Sequence, residues 1–267
     1  MKKYWRVAVL GWQDSLVYRF NAVVWVWYAV LPSITLMLVW LAAYQSKGRS
    51  TIGNFDLPGM MTYYLCVTVL SIIITPHPEW DIAQQVRDGK ITQFIVRPIG
   101  YFGYRFAQET SYQIVKSFMM LPALGVMVWL FHAYLRLPVL DGLRWAEFFL
   151  SALLAYMLLS QFKFLLGISA FWLAEPGGFL EIWNVLVGVM AGRLLPVSLL
   201  PGWLQRVSTD LPFSSFYAFP MRILLSPITA EEIRLGLTRQ CLWLLALAFL
   251  VRWTWNRGLL AYEAYGG

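Results

Sequence analysis

The chain has few charged residues and few residues that carry catalysis or bind metals. Asp, Glu, Lys and Arg make up 13% of its 267 residues, against about 25% in soluble domains. It has two cysteines, Cys66 and Cys241, and two histidines, His77 and His132. Both cysteines fall inside apolar runs, and neither histidine has a metal-ligand partner at helical spacing. We therefore expect neither a disulfide framework nor a metal site.

A phosphate-binding loop is also missing from the sequence. The Gly89–Lys90 pair is followed by Ile91, where the loop needs Ser or Thr, and Gln84 stands where its first glycine belongs. The sequence thus predicts that this chain does not hydrolyse ATP. No Ser, Cys or His is placed as a nucleophile beside a base.

Apolar residues dominate the composition. They make up 59% of the chain, aromatic residues alone 17%, and the net charge is +7. This composition predicts an integral membrane protein. The Lys and Arg residues are spread over short loops, so we attribute them to membrane topology and to anionic lipids, and expect no nucleic-acid partner.

Six apolar segments are long enough to be membrane spans, each of which needs about 20 residues. They are residues 22–43, 59–75, 114–135, 148–173, a segment from about 179, and 237–255. No internal repeat or low-complexity tract divides the chain. We therefore predict one all-α transmembrane domain over residues 1–267, with six transmembrane helices.

The N-terminal segment, residues 1–20, predicts an amphipathic helix that lies in the membrane interface. Trp5, Val9, Trp12 and Leu16 form one apolar stripe, and charged residues lie beside it. Positive charge is densest here, which predicts a cytoplasmic N-terminus. Six spans then return the C-terminus to the cytoplasm.

The connection between the second and third spans, residues 76–112, is predicted to be cytoplasmic and to contain a short helix. Pro78 suits the first position of a helix, and acidic residues follow it at the positive end of the helix dipole. Gly89 can take the left-handed conformation that ends a helix. Residues 79–88 are the predicted helix, whose alternating charges suit contact with a polar partner.

The connection between the fifth and sixth spans, residues 193–233, is too apolar for a free loop. Pro196, Pro201, Pro212 and Pro220 interrupt it, so no continuous span fits. Short helices that dip back into the outer leaflet are predicted instead. Irregular backbone at that depth must be shielded by protein or face a cavity.

Two charged residues at membrane depth have open interpretations. Lys163 could face a subunit interface or an aqueous path, or pack against a carbonyl group. Arg193 stands where the fifth span breaks, and there it could bind an anionic head group. A central charge costs about 2.5–3.5 kcal/mol on insertion scales, so both positions need an explanation.

Both connections resemble the membrane subunits of type-2 ABC exporters, in the branch with paired permeases and a separate ATPase. The cytoplasmic motif reads Arg-x-Gly, four residues, an apolar pair and a later Pro. Its residues here are Arg87, Gly89, Phe94, Ile95 and Pro98. The second motif is Gly192, Pro196, Pro201, Trp203 and Leu204. The closing RGLLAYEAYGG is also similar to this branch.

The resemblance implies a coupling helix that contacts two ATPase subunits, and these would hold ATP and Mg. The implied contact residues are Glu79, Asp81, Arg87, Asp88, Gly89, Lys90, Arg97 and Pro98. The implied translocation path includes Lys163, Gly192, Arg193, Pro196, Pro201 and Trp203. A second permease, either an identical copy or a sister chain, would complete the exporter in a bacterial cytoplasmic membrane.

Three other functions fit the sequence less well. A secondary transporter often shows internal repeats, which are absent here. A membrane-embedded enzyme would need a cluster of His, Asp or Cys at membrane depth. A structural subunit would not need a docking helix. The aromatic residues suit an amphipathic or lipidic cargo, but aromatic belts at the membrane interfaces explain them equally well.

Overall fold

The computed structural model describes residues 2–17, 19–47, 50–95 and 100–266. Its first helices are α1 Lys2–Val17, α2 Arg19–Lys47, α3 Leu57–Ile74, α4 Pro78–Arg87, α5 Thr92–Ile95 and α6 Tyr101–Met119. The others are α7 Leu121–Phe131, α8 Gly142–Ile168, α9 Gly177–Met190, α10 Gly202–Asp210, α11 Ala218–Leu225 and α12 Ala230–Gly266. Two short strands, β1 Thr51–Ile52 and β2 Phe55–Asp56, pair antiparallel between α2 and α3. The predicted all-α fold is confirmed.

Three of the described helical stretches are long and apolar enough to cross a membrane. They are Leu57–Arg87, Gly142–Phe171 and Ala230–Tyr262. A fourth crossing results if α6 and α7, which meet at a bend of 43°, count as one span. Val30–Ser46 and Gly177–Met190 are shorter apolar helices. All six predicted segments thus lie mainly in helices over their described residues, but only three or four stretches combine the length and the hydropathy of a span, so the six-span topology stays a prediction.

The helix of the third predicted span starts much earlier than the sequence indicated. The prediction began near Ile114, whereas α6 begins at Tyr101. The predicted segment contained only the apolar run, and Arg105 and Gln113 precede that run, but their side chains are buried. Their spacing puts them on one face of α6, and that face points into the protein.

One end of the molecule gathers the start of α6 with the ends of α8 and α12. The Tyr101 ring stacks on Trp255 of α12, with ring centroids 4.9 Å apart. Phe171, just after α8, packs edge-on against the same Trp255 at 5.7 Å. The short helix α4 lies at this end too, packed along α8.

The opposite end holds the start of α3, the end of α7 and the start of α8. The Arg136 amide donates to the Thr62 hydroxyl at 2.9 Å. The Arg144 guanidinium donates to the Ile228 carbonyl, shortly before α12, at 3.0 Å. The long helices therefore run alternately between two ends, as a multi-pass arrangement requires.

Helix α1 packs along α6 and leaves apolar side chains uncovered. Tyr4 lies against Gly103, and Gly11 against Gln108. On the predicted apolar stripe, Trp12 is 41% exposed, as expected for a face turned towards lipid.

The segment after α9 folds as short helices, of which α11 and the turn before it are mostly buried. Helices α10 and α11 are separated by a 3₁₀ turn, Pro212–Ser215, whose residues are buried. The Ser215 carbonyl accepts a hydrogen bond from Gln240 of α12 at 2.9 Å. The Tyr217 hydroxyl lies 2.7 Å from that of Thr75, at the far end of α3. The segment therefore reaches deep between the spans.

Candidate coupling and translocation site

Helix α4 begins and ends where local sequence signals placed it. Pro78 occupies its first turn, and Gly89, with φ of 74°, follows the C-cap residue Asp88. The Lys90 amide returns to the Gln85 carbonyl at 3.0 Å, which closes the helix end. The prediction of a helix over residues 79–88 is confirmed to within one residue.

The apolar face of α4 packs closely on α8. Ile82, Ala83 and Val86 are buried, as the sequence suggested. At Gly167 of α8, an added Cβ would lie 2.8 Å from the Ile82 Cβ and 3.0 Å from the Glu79 Cα. Only glycine at position 167 lets the two helices approach this closely.

A buried ion pair fixes the start of α4 to α8. The Lys163 Nζ lies 2.7 Å from Glu79 Oε1, and their side chains are 3% and 0% exposed. Lys163 also donates to Asn184 of α9. His77 Nδ1 lies 3.5 Å from the same Glu79 oxygen. The pair thus connects three helices, although the sequence had assigned its members to different roles.

A second buried cation ties α4 to α6. Arg105 lies 2.6 Å from Asp81 of α4 and 3.6 Å from Glu109 of its own helix, and its side chain is 3% exposed. Sequence reasoning did not single out Arg105. Its spacing of four from Glu109 was the available signal.

Three other charges of the predicted contact set, on Arg87, Asp88 and Lys90, lie on the surface. Arg87 reaches Glu175 at 3.3 Å, and Lys90 reaches Asp88 at 2.8 Å. Hydrogen bonds from Lys90 and then Gln84 hold the pKa of Asp88 below its ordinary value. Glu79 differs from these residues because its side chain is enclosed by protein. The contact role of the whole set stays a prediction.

Two residues of that set, Arg97 and Pro98, lie outside the described residues. The described part of the same motif continues through α5, where Phe94 packs against Tyr101 and Tyr104 at 5.0 Å each. This contact attaches the end of the motif to the start of α6.

The fifth apolar helix, α9, ends at Met190, and α3 holds the chain that follows. Gly192 has φ of 91°, a conformation that favours glycine. The Tyr63 hydroxyl donates to the Gly192 carbonyl, and the Tyr64 hydroxyl donates to the Leu194 carbonyl at 2.9 Å. Neither tyrosine was singled out from the sequence.

Other carbonyl groups at this break are also satisfied. The Ser208 hydroxyl donates to the Met190 carbonyl at 2.6 Å, and the Ala218 amide donates to the Ala191 carbonyl at 3.0 Å. Water cannot satisfy these groups within a membrane, so protein donors are required. We call residues 190–194 with these donors the break.

Cavities lie on both sides of the break; we call the one at the Asp56 end of α3 the outer cavity and the one at the Thr75 end the inner cavity. The outer cavity has a volume of about 640 Å³ and is lined by Asp56, Tyr63, Arg136 and Pro196, among others. The inner cavity has a volume of about 250 Å³ and is lined by His77, Lys116 and Arg193, among others. Tyr63 borders the outer cavity, and Leu194 borders the inner one.

The structure brings together only part of the predicted translocation path. Gly192 lies in the break, Arg193 lines the inner cavity and Pro196 lines the outer one. Lys163 lines neither, because it is paired with Glu79.

The other two predicted path residues lie at the start of α10. Pro201 precedes the helix directly, and Trp203 is 67% exposed. Both stand apart from the cavities on either side of the break. Among the residues the structure describes, no group of His, Cys, Asp or Glu side chains is arranged to hold a metal ion.

Comparison with protein families gives one match. Residues 30–266 match the model of a family described as ABC-2 family transporter protein. No curated protein matches the chain.

Proposed function

The chain belongs to the ABC-2 transporter family, and we propose that it is the transmembrane permease subunit of an ATP-driven exporter. It pairs with a second permease, identical or a sister chain, and two ATPase subunits hold ATP and Mg beneath them. The exporter moves an amphipathic or lipidic substrate out of the cytoplasm or the inner leaflet. We place it in a bacterial cytoplasmic membrane with six spans and both termini inside.

The attachment of α4 is the observation that carries this proposal. Its inner face is fixed to α8 and α9 through Lys163 and to α6 through Arg105. Its outer face and the turn that follows it offer Arg87, Asp88 and Lys90. A partner that moves this outer face therefore moves the ends of three spans.

The buried pair suits α4 to this role because it resists separation. Removing one member of a buried ion pair costs about 3–5 kcal/mol, since the other charge is left uncompensated. An exposed pair contributes about 0–1 kcal/mol. A force on α4 would thus disturb the surface contacts of Arg87 before it separates Glu79 from Lys163.

The break is the proposed point of passage. The outer and inner cavities lie on its two sides, and hydrogen bonds from Tyr63 and Tyr64 hold the chain between them. Asn184 of α9 contacts Lys163, so a shift of α4 reaches the helix that leads into the break. We propose that this movement opens a route from the inner to the outer cavity.

Co-expression with candidate ABC ATPases from the same genome tests the proposal. The Arg87→Ala/Asp88→Ala variant should co-purify several-fold less ATPase, or lose coupled hydrolysis, while it still inserts into the membrane. Glu231→Ala/Arg234→Ala is the matched control, because it removes one exposed acid and one exposed base at the other end of the molecule.

Three results would contradict the proposal. The first is equal binding and coupling in the contact variant and the control. The second is the absence of any associated ATPase together with transport that continues without one, which would indicate a secondary transporter. The third is the absence of both ATPase and transport, which would indicate a structural subunit.

A further inference from the structure

The inner cavity combines cationic groups with an apolar wall. The cations Lys116 of α6 and Arg193 of the break line one part of it, beside the imidazole of His77. Pro32, Leu36, Val67, Ile72, Met120 and Leu194 are the apolar residues of its lining. Ser33, Thr68, Ser71 and Thr75 add hydroxyl groups. None of these lining residues is a carboxylate.

Neither Lys116 nor Arg193 forms a salt bridge with a residue that the structure describes. Lys116 is 8% exposed, and its ammonium group has two long hydrogen bonds, to the Thr75 carbonyl at 3.4 Å and to Gln113 at 3.3 Å. An ammonium group carries three donors, so one remains for a ligand. Arg193 takes part in no salt bridge with a described residue and adds a guanidinium beside the same space.

The neighbouring carboxylates are engaged elsewhere. Glu79 lies 2.7 Å from Lys163, and Glu109 lies 3.6 Å from Arg105. Neither lines the cavity. The positive charges of Lys116 and Arg193 repel each other in this poorly solvated space. An anion bound between them would be attracted to both and would offset that repulsion.

The depth of the cavity matches the inner leaflet in the proposed orientation. Thr75 follows the 18 residues of α3, so at ~1.5 Å per residue it lies roughly 27 Å from Leu57. The hydrocarbon core of a bilayer is about 30 Å thick. The cationic part of the cavity therefore lies where the phosphate groups of inner-leaflet lipids meet the acyl chains.

We propose that the inner cavity binds the anionic head group of an amphiphile, with the charge on Lys116 and Arg193 and the acyl part along the apolar wall. The inference rests on the proposed export function, because it assigns an anionic amphiphile as the substrate class of that path. A free anion would use the two cations but not Leu36, Val67 and Met120.

Binding to the purified full-length chain, with any subunits that accompany it, tests the proposal in neutral detergent. The probe is labelled lauroyl glycerol phosphate, and the competitors are unlabelled probe, neutral monolauroyl glycerol and inorganic phosphate. We expect only the unlabelled anionic amphiphile to compete strongly. Lys116→Gln and Arg193→Gln should each weaken binding about tenfold, as for the loss of a hydrogen bond to a charged group.

Arg206→Gln is the control, because Arg206 is an exposed arginine on α10, outside the cavity. It should bind the probe as the unaltered chain does. Lys116→Arg keeps the charge and should retain most of the binding, which separates loss of charge from loss of fold. The comparison of competitors needs no variant, so it decides the question even if Lys116→Gln does not fold.

Three outcomes would overturn the proposal. Equal competition by inorganic phosphate would indicate a free-anion site. Equal competition by the neutral amphiphile would show that charge is not recognised. Lack of probe binding, combined with weaker association of permeases in Arg193→Gln, would show that a partner carboxylate pairs with the cations. None of these assays needs ATP. Lipid binding can therefore fail while ATPase coupling is confirmed, and ATPase coupling can fail while lipid binding is confirmed.

Discussion

The junction of α4 with α8 and the break after α9 keep polar groups away from lipid by different means. In the junction, opposite charges pair at 2.7 Å between Glu79 and Lys163, and Gly167 permits close packing. In the break, hydroxyl groups satisfy backbone carbonyls, and cavities remain on both sides. The junction is closely packed, whereas the break has space around it.

The two regions also differ in what a movement would cost. Separating a buried ion pair costs several kcal/mol, about 3–5 when one partner is removed. Exchanging one neutral hydrogen bond costs about 0.5–1.5 kcal/mol. We therefore expect the junction to transmit movement as a rigid unit and the break to change its conformation.

Removal of Lys163 should produce the largest effect. Lys163→Met leaves the Glu79 carboxylate buried without its cation, so we expect a loss of about 3–5 kcal/mol of stability. The apparent melting temperature of the purified protein in detergent measures it. Adding Glu79→Gln should recover most of the loss, because the double variant carries no buried charge at this position.

Lys90→Met serves as the surface control for that experiment. Lys90 lies 2.8 Å from Asp88, but its side chain is 59% exposed. We expect a change of less than about 1 kcal/mol. Equal melting temperatures of Lys163→Met and Lys90→Met would show that the junction is not held by its buried pair.

A substitution at Gly192 should produce the next largest effect, at the break. Gly192→Ala forces a side chain onto φ of 91° and puts a Cβ 3.0 Å from the Tyr63 hydroxyl oxygen. The left-handed conformation alone costs about 1–2 kcal/mol. A lower melting temperature with unchanged binding of the ATPase is the expected result.

Gly202→Ala is the matched control, because Gly202 starts α10 and no atom lies within 4 Å of its added Cβ. It should leave the melting temperature unchanged. In a Tyr63→Phe background, Gly192→Ala should cost less than it does alone, since the crowding oxygen is gone. An identical cost in both backgrounds would rule out the Tyr63 contact as a cause.

Local signals explain why the sequence predicted α4 and not its partner. Pro78 and Gly89 are local signals for the start and the end of the helix. The apolar residues between them indicate which face is buried. Lys163 is 84 positions from Glu79. Nothing in either segment specifies the other, so sequence reasoning gave these two residues separate roles.

The break was harder to predict than the helix that precedes it. Pro196 and Gly192 showed that a continuous span fails there. The donors to the freed carbonyls come from an apolar run, in which Tyr63 and Tyr64 look like any other aromatic residues. The first part of α6 was predicted as a loop for a related reason. Its polar side chains are buried, and hydropathy does not show which way a side chain points.

Loss of a single hydroxyl group at the break should produce a smaller effect. Tyr64→Phe removes the hydrogen bond to the Leu194 carbonyl and leaves the Trp40 indole, 2.9 Å away, without its acceptor. We expect about 1–2 kcal/mol of lost stability. Hydrogen–deuterium exchange should rise in residues 191–200 and stay unchanged in residues 78–90.

Tyr104→Phe is the control, because the Tyr104 ring packs on Phe94 and its hydroxyl forms no hydrogen bond with a described residue. It should change exchange in neither segment. Equal increases in both segments after Tyr64→Phe would mean that the break and the junction open together, contrary to the expected independence.

The smallest effect is expected at the ion pair between Asp56 and Arg136, which lie 2.9 Å apart at the opposite end from α4. Arg136 is 73% exposed, so Arg136→Gln should change stability by less than about 0.5 kcal/mol.

Asp56 also caps α3, because its Oδ1 accepts from the Gly59 amide at 2.9 Å. Asp56→Ala should therefore cost about 1 kcal/mol through loss of the cap. Melting temperatures that fall equally in both variants would show that the exposed charge pair itself stabilises the protein. Burial would then no longer explain why loss of the Glu79–Lys163 pair has the larger effect on stability.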